Sequence, residues 1–376
     1  MLASEASFDA NSETLDIARA VPVSGTYNIA HPMGLVWSMT PVSDAPQQNG
    51  SAIQRAEPWA LTLSGDVEGD EMPPVTVTRE YAAAGVTRTE LRKDGLVASV
   101  FRPGRLGPRP VVITFTGSDG GLNEMPSALL ASHGFVGMSL AFFGVDPLPQ
   151  YLESFPLEYF DKAYRWLAQQ PFVDPDAIVV TGASRGGELS LLLGATFPWV
   201  RAVMAIAPSG LVYRGVTNRT TEPTSAWSLG GEPLPFARSD RSVLDMTAPA
   251  IRLAPSFLKG LEDKSMIREA EIAVERTNGP ILMISGGDDQ MWASQTLTDF
   301  AVRRLERSNF KHGFEHIVYP EAGHTIRPPY QPAVTSGYHP VLGVVYAFGG
   351  TQAANALAGE DAWRRQLEFL TSVFGR

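Results

Sequence analysis

The chain contains no cysteine, which removes disulfides, thiolate metal ligands and a cysteine nucleophile at once. Basic residues are in the minority, 30 Lys and Arg against 40 Asp and Glu, for a formal net charge of -10. Broad contact with nucleic acid or anionic lipid needs a basic face that releases counterions, so neither partner is expected. A local basic pocket for a small anionic ligand stays compatible with that balance. No apolar run reaches about eighteen residues, so no membrane-crossing helix is expected. The N-terminal stretch MLASEASFDANSETLDIARA carries several acids and no apolar run of signal-peptide length. The expected address is therefore the cytoplasm.

What is present is an ordinary globular composition, 44% hydrophobic and 19% charged over 376 residues. That length buries a large core and suits two domains, or one large domain with an appendage. Over residues 1–103 short alternating runs, at 35–39, 59–63, 75–78 and 97–102, are broken by Pro, Gly, Asn and Asp. Such punctuation predicts antiparallel strands of a small β-sandwich domain. Residues 103–110 (PGRLGPRP) read as a linker or hairpin end.

A second domain, 104–376, has a different rhythm. Continuous apolar strands are predicted at 111–115, 136–143, 177–181, 200–207, 280–285 and 314–319, with helices at 124–133, 156–170, 188–197, 294–307 and 361–374. Buried strands alternating with helices predict an α/β fold, a doubly wound and mostly parallel sheet covered on both faces. Residues 211–279 are irregular apart from a predicted helix at 267–276, and an insertion there lies over the strand carboxyl ends as a cap.

The sharpest chemical signal is Gly182-Ala183-Ser184-Arg185-Gly186, directly after the predicted strand AIVVT and before a helix. A G-x-S-x-G string gains meaning only in that context, where a tight turn lifts the serine hydroxyl above the sheet at a helix N-terminus. A serine is inert at neutral pH without a base. His324 follows the last predicted strand in a glycine-led loop, in the chain order of α/β-hydrolases. His312 and His316 lack a third ligand for a metal, and His31, His133 and His339 are expected to pack or face solvent. The acid that orients the imidazole should lie after the strand PILMIS, where Asp288 and Asp289 compete; the usual spacing favours Asp289. An oxyanion hole needs two backbone N–H groups, expected from Arg185 and from Ser118 in the glycine-rich loop 116–121. Asp119 reads as a turn residue. With no G-x-G-x-x-G, P-loop or H-E-x-x-H string, no cofactor or metal is expected.

Several strings together resemble one family, the acyl-CoA thioesterases and bile acid-CoA:amino acid N-acyltransferases. They are HPMGLVWSM at 31–39, the loop 116–124, SFPLEY at 154–159, the elbow around Ser184, residues 286–292, and EAGHTIRPP at 321–329. The resemblance spans nearly the whole chain. It implies an immunoglobulin-like domain, here beginning partway through its strands, followed by an α/β-hydrolase domain acting on an acyl thioester. Serine at the elbow implies water as acceptor. The expected partner is thus a small-molecule acyl thioester or ester, with self-association into a homo-oligomer left open. A carboxylesterase, lactonase or acyltransferase on the same scaffold, or a noncatalytic binding protein, are the competing readings.

Overall fold

The computed structural model describes residues 1–9, 14–42, 52–105, 107–219 and 222–375. Position 106 of the expected linker lies outside the described residues. The centre of the molecule is an eight-stranded sheet. Its strands are β1 (Thr87–Lys93), β2 (Leu96–Arg102), β3 (Arg109–Phe115), β4 (Val136–Ala141), β5 (Val173–Ala183), β6 (Val200–Ile206), β7 (Ile281–Gly286) and β8 (Phe314–Tyr319). They lie side by side in the order β8-β7-β6-β5-β3-β4-β2-β1. Every ladder from β4 to β8 is parallel, and β2 runs antiparallel to both β1 and β4.

Side chains alternate across this sheet with period two. Val111, Ile113, Phe115, Ile178 and Val180 face one core, which is closed by α2 (Glu158–Ala168), α3 (Arg185–Thr196) and α4 (Ser294–Arg307). Val112, Val179, Leu282 and Ile284 face the other, closed by α1 (Met125–Ser132) and α5 (Gln352–Phe374). The doubly wound α/β architecture expected from the alternation of strands and helices is present.

The expected division at residue 103 does not coincide with the sheet. β1 and β2 join it as a hairpin, turned at Asp94 and Gly95, both at positive φ, as a two-residue turn of primed type requires. Every residue from 96 to 101 is buried, the mark of a strand covered on both faces. In a small sandwich the same strand would alternate. Among the described residues before β1, pairing is in two-stranded ladders rather than in two facing sheets: Leu2–Ala3 with Thr40–Pro41, Ala6–Ser7 with Ser24–Gly25, and Trp59–Val67 with Asp70–Arg79. Residues 35–39, expected as a strand, instead contain a helical turn, Gly34–Trp37. His31 Nδ1 accepts from the Met33 amide and from Trp37 Nε1, both at 3.1 Å, and this local bonding closes the turn.

The N-terminal segment is tied down at several points, among them a parallel ladder of Ile53–Gln54 with Leu122–Asn123. Tyr27 and Trp37 pack beside Ala353 and Ala356 of α5, and Glu124 binds Arg88, Ser99 Oγ and the Ala56 amide. The excursion 211–279 holds two short helices, Ala254–Gly260 and Lys264–Ala270. Its Trp227 is fully buried among Phe142, Phe160 and Glu188, so this segment is anchored to the core beside α3. No helix among the described residues is long and apolar enough to cross a membrane.

Candidate active site

β5 ends at Ala183 and α3 begins at Arg185, which leaves Ser184 alone on the bend. Its backbone sits at φ 58°, ψ -118°, a region that side chains rarely adopt and that marks stored strain. The flanking glycines are demanded by space. A Cβ on Gly182 would lie 2.6 Å from the Gly186 backbone, and one on Gly186 would lie 2.5 Å from the Thr116 carbonyl oxygen. The Ser184 amide donates to the Ile206 carbonyl at 2.9 Å, fixing the bend to β6. Ser184 is 8% exposed and lines a cleft. The Arg185 amide, first of its helix, has no acceptor among the described residues, as expected for a helix N-terminus.

His324 follows β8. Its Nδ1 lies 2.8 Å from Asp289 Oδ2. Burial alone would raise the Asp289 carboxyl, but the His324 charge and hydrogen bonds from His324, Ser294 and the Trp292 amide outweigh it and hold the group below its ordinary value. The Met291 and Trp292 amides donate to Oδ1 at 3.0 and 2.9 Å. The His324 backbone is held in turn: its amide donates to Phe348 O, and the preceding Gly323 amide donates to Asn355 Oδ1 at 2.7 Å. Asp288 points elsewhere and accepts from the Gly350 amide at 2.8 Å.

The loop 116–121 lies against the elbow, since a Cβ on Gly117 would stand 3.4 Å from both Ser184 Cβ and Asp119 Oδ1. Burial pushes the Asp119 carboxyl up, against the pull of its own amide, the Arg327 charge, the Gly117 amide and the His324 charge. Ser184 packs directly against this loop, and the His324 charge acts on its Asp119. No hydrogen bond joins Ser184 Oγ to His324 here; such contacts are often loose without substrate.

His339, expected to pack or face solvent, is a residue sequence reasoning missed. It is buried, lines the cleft with Ser118 and Ser184, and places Nε2 2.9 Å from Ser118 Oγ. Its Nδ1 accepts the Leu342 amide at 3.3 Å, so the neutral ring carries its proton on Nε2 and donates to Ser118. Burial pushes the imidazole down to about 4, which keeps it neutral at pH 7. Ser118 Oγ then accepts from His339, and its own hydroxyl proton is free for another acceptor. Nothing in the string SGYHP at 336–340 signals this contact. His316 bonds Ser285 Oγ at 3.0 Å, away from the cleft.

Arg185 is neutralised locally: its guanidinium donates to Glu188 and to the Arg214 carbonyl, each at 2.8 Å, and stacks 5.0 Å over the Trp292 ring. The cleft encloses about 570 Å3, its open mouth included. Leu253, Phe257 and Met291 give it an apolar wall, and the half-buried Arg214 and the exposed Arg241 also line it.

Two family descriptions match the chain: "Acyl-CoA thioester hydrolase/BAAT N-terminal region" over residues 1–93, and "BAAT / Acyl-CoA thioester hydrolase C terminal" over residues 155–376. Mouse mitochondrial acyl-coenzyme A thioesterase 2 is 31% identical over 98% of this chain and 78% of its own length. Mouse peroxisomal succinyl-coenzyme A thioesterase is 30% identical over 96% and 84%. Mouse acyl-coenzyme A amino acid N-acyltransferase 1 is 30% identical over 94% and 83%.

Proposed function

The chain belongs to the acyl-CoA thioester hydrolase/BAAT family of enzymes, and on that premise we propose that it hydrolyses acyl thioesters with Ser184 as nucleophile, His324 as base and Asp289 as orienting acid. The observation that carries the reading is a strained serine alone on the bend at a helix N-terminus, followed in the chain by an imidazole whose Nδ1 is fixed by a buried carboxylate.

In this reading His324 Nε2 takes the Ser184 proton as Oγ attacks the thioester carbonyl. The tetrahedral oxygen is held by the Arg185 amide, the Ser118 amide and the freed Ser118 hydroxyl proton, donors aimed where charge develops. Collapse breaks the C–S bond, and His324 returns the proton to the leaving thiolate. Water, deprotonated by His324, then releases the acid and restores Ser184. Asp289 keeps the proton of the resting imidazole on Nδ1 and stabilises the imidazolium. The elbow serine, rather than a cysteine, favours water over an amine as acceptor. A cytoplasmic address belongs to the same proposal and is checked by cell fractionation.

Ser184→Ala is expected to abolish hydrolysis of a thioester panel with the fold retained. Turnover at the wild-type rate in that variant refutes the assignment. Matched oxygen esters, thioesters and amine acceptors separate hydrolysis of thioesters from esterase or transferase activity.

A further inference from the structure

Two cations in the cleft have no task in this mechanism. Arg214 is half-buried, Arg241 is exposed, and both line the cleft that holds Ser184. Neither guanidinium meets a carboxylate among the described residues. The neighbouring acids are engaged elsewhere: Glu188 with Arg185, and Asp240 with the Ser242 amide at 2.9 Å. Burial, with the charges of Arg241, Arg185 and Arg238 adding to it, pushes Arg214 below its ordinary value.

A structural arginine at that depth is normally paired, because an unmatched charge taken from water costs free energy. Arg185, in the same cleft, obeys the rule; Arg214 does not. The imbalance occurs in a chain whose acids outnumber its bases by 40 to 30, so the local positive field runs against the overall charge. Such a concentration of like charge in a low-dielectric cleft attracts an anion, and a planar guanidinium suits a carboxylate or phosphate.

We propose that Arg214 and Arg241 form an anion subsite beside Ser184, which takes a carboxylate or phosphate group carried by the thioester substrate. This rests on the thioester reading given above. The carboxylate would sit at the far end of a short acyl chain; the phosphate would belong to the thiol carrier. The apolar wall of Leu253, Phe257 and Met291 receives the methylene groups between the reacting carbonyl and the remainder of the substrate.

The test compares butyryl with succinyl thioesters, each on coenzyme A and on N-acetylcysteamine, a thiol without phosphates. The enzymes are wild type, Arg214→Gln/Arg241→Gln and Arg214→Lys/Arg241→Lys. A charge-assisted contact gives a loss of at least about tenfold. If the succinyl to butyryl ratio of kcat/KM falls by that factor on both carriers in the Gln variant and recovers in the Lys variant, the subsite reads the acyl carboxylate. If instead the coenzyme A to N-acetylcysteamine ratio falls for both acyl groups, it reads phosphate. An equal change for all four substrates, or none, overturns the subsite. Should the wild type hydrolyse none of them, the thioester reading fails by itself. The subsite is then decided by fluorophosphonate labelling of Ser184: protection by succinate or inorganic phosphate that is lost in the Gln variant upholds it, and labelling indifferent to both overturns it.

Discussion

Asp289 Oδ2 stands 2.8 Å from His324 Nδ1, and its other oxygen is locked by the Met291 and Trp292 amides. The adjacent Asp288 turns to the Gly350 amide. Orientation by a carboxylate depends on its accepting the Nδ1 proton, and an amide at position 289 would present a donor and select the wrong tautomer. Asp289→Asn is expected to lower kcat on the order of 10^4-fold with an unchanged circular dichroism spectrum. Asp288→Asn is expected to change kcat less than about tenfold, as a loop substitution outside the charge path.

The His339 to Ser118 contact predicts a graded series. Ser118→Ala deletes the hydroxyl donor and keeps the amide, so kcat should fall by about 10^2-fold with little change in KM. His339→Leu, which leaves the Ser118 hydroxyl free to rotate, should approach the same value. His339→Gln, whose side-chain amide can donate to Ser118, should recover a large part of it. Equal rates in the Leu and Gln variants would remove His339 from the mechanism.

The same histidine makes stability depend on pH. Its folded pKa, about 4, lies below the roughly 6.5 of an unfolded histidine. Between those values the unfolded chain binds the extra proton, so stability rises with pH. The neutral ring's contribution is complete above about 6.5 and is lost as pH falls toward 4. Urea titrations across that window should show the wild type losing on the order of 3 kcal/mol more stability than His339→Gln.

Glu124 joins the N-terminal segment to the large sheet. Burial would raise its carboxyl, but the Arg88 bond, with Ser99 and the Ala56 amide, holds it low. Glu124→Gln removes the charge from a buried pair with Arg88 and is expected to cost about 2 kcal/mol in urea denaturation.

Legibility from sequence followed the strength of local signals. The elbow was readable because its glycines are required by hard contacts at Gly182 and Gly186, and α4 because helical periodicity ran from Ser294 to Arg307. The hairpin β1–β2 was assigned to the wrong neighbour. The run 97–102 reads as one more alternating strand, and the Pro and Gly residues after it suggest a boundary, whereas every residue from 96 to 101 is buried. The start of α5 at Gln352 was also missed, because the alanine-rich turn after its Thr351 cap offers little apolar contrast. His339 and the arginine pair were invisible for a different reason. The contact of His339 with Ser118 spans more than two hundred positions, the arginines meet the serine only in the folded cleft, and no spacing rule encodes either.

The central claim is that an acyl group passes through Ser184. Rapid quenching of the enzyme with an acyl-CoA, followed by peptide mass analysis, tests it most directly. The account predicts an acyl adduct on the peptide containing Ser184 in the wild type, absent from Ser184→Ala. Steady thioester turnover with that peptide unmodified, and undiminished in Ser184→Ala, would contradict it.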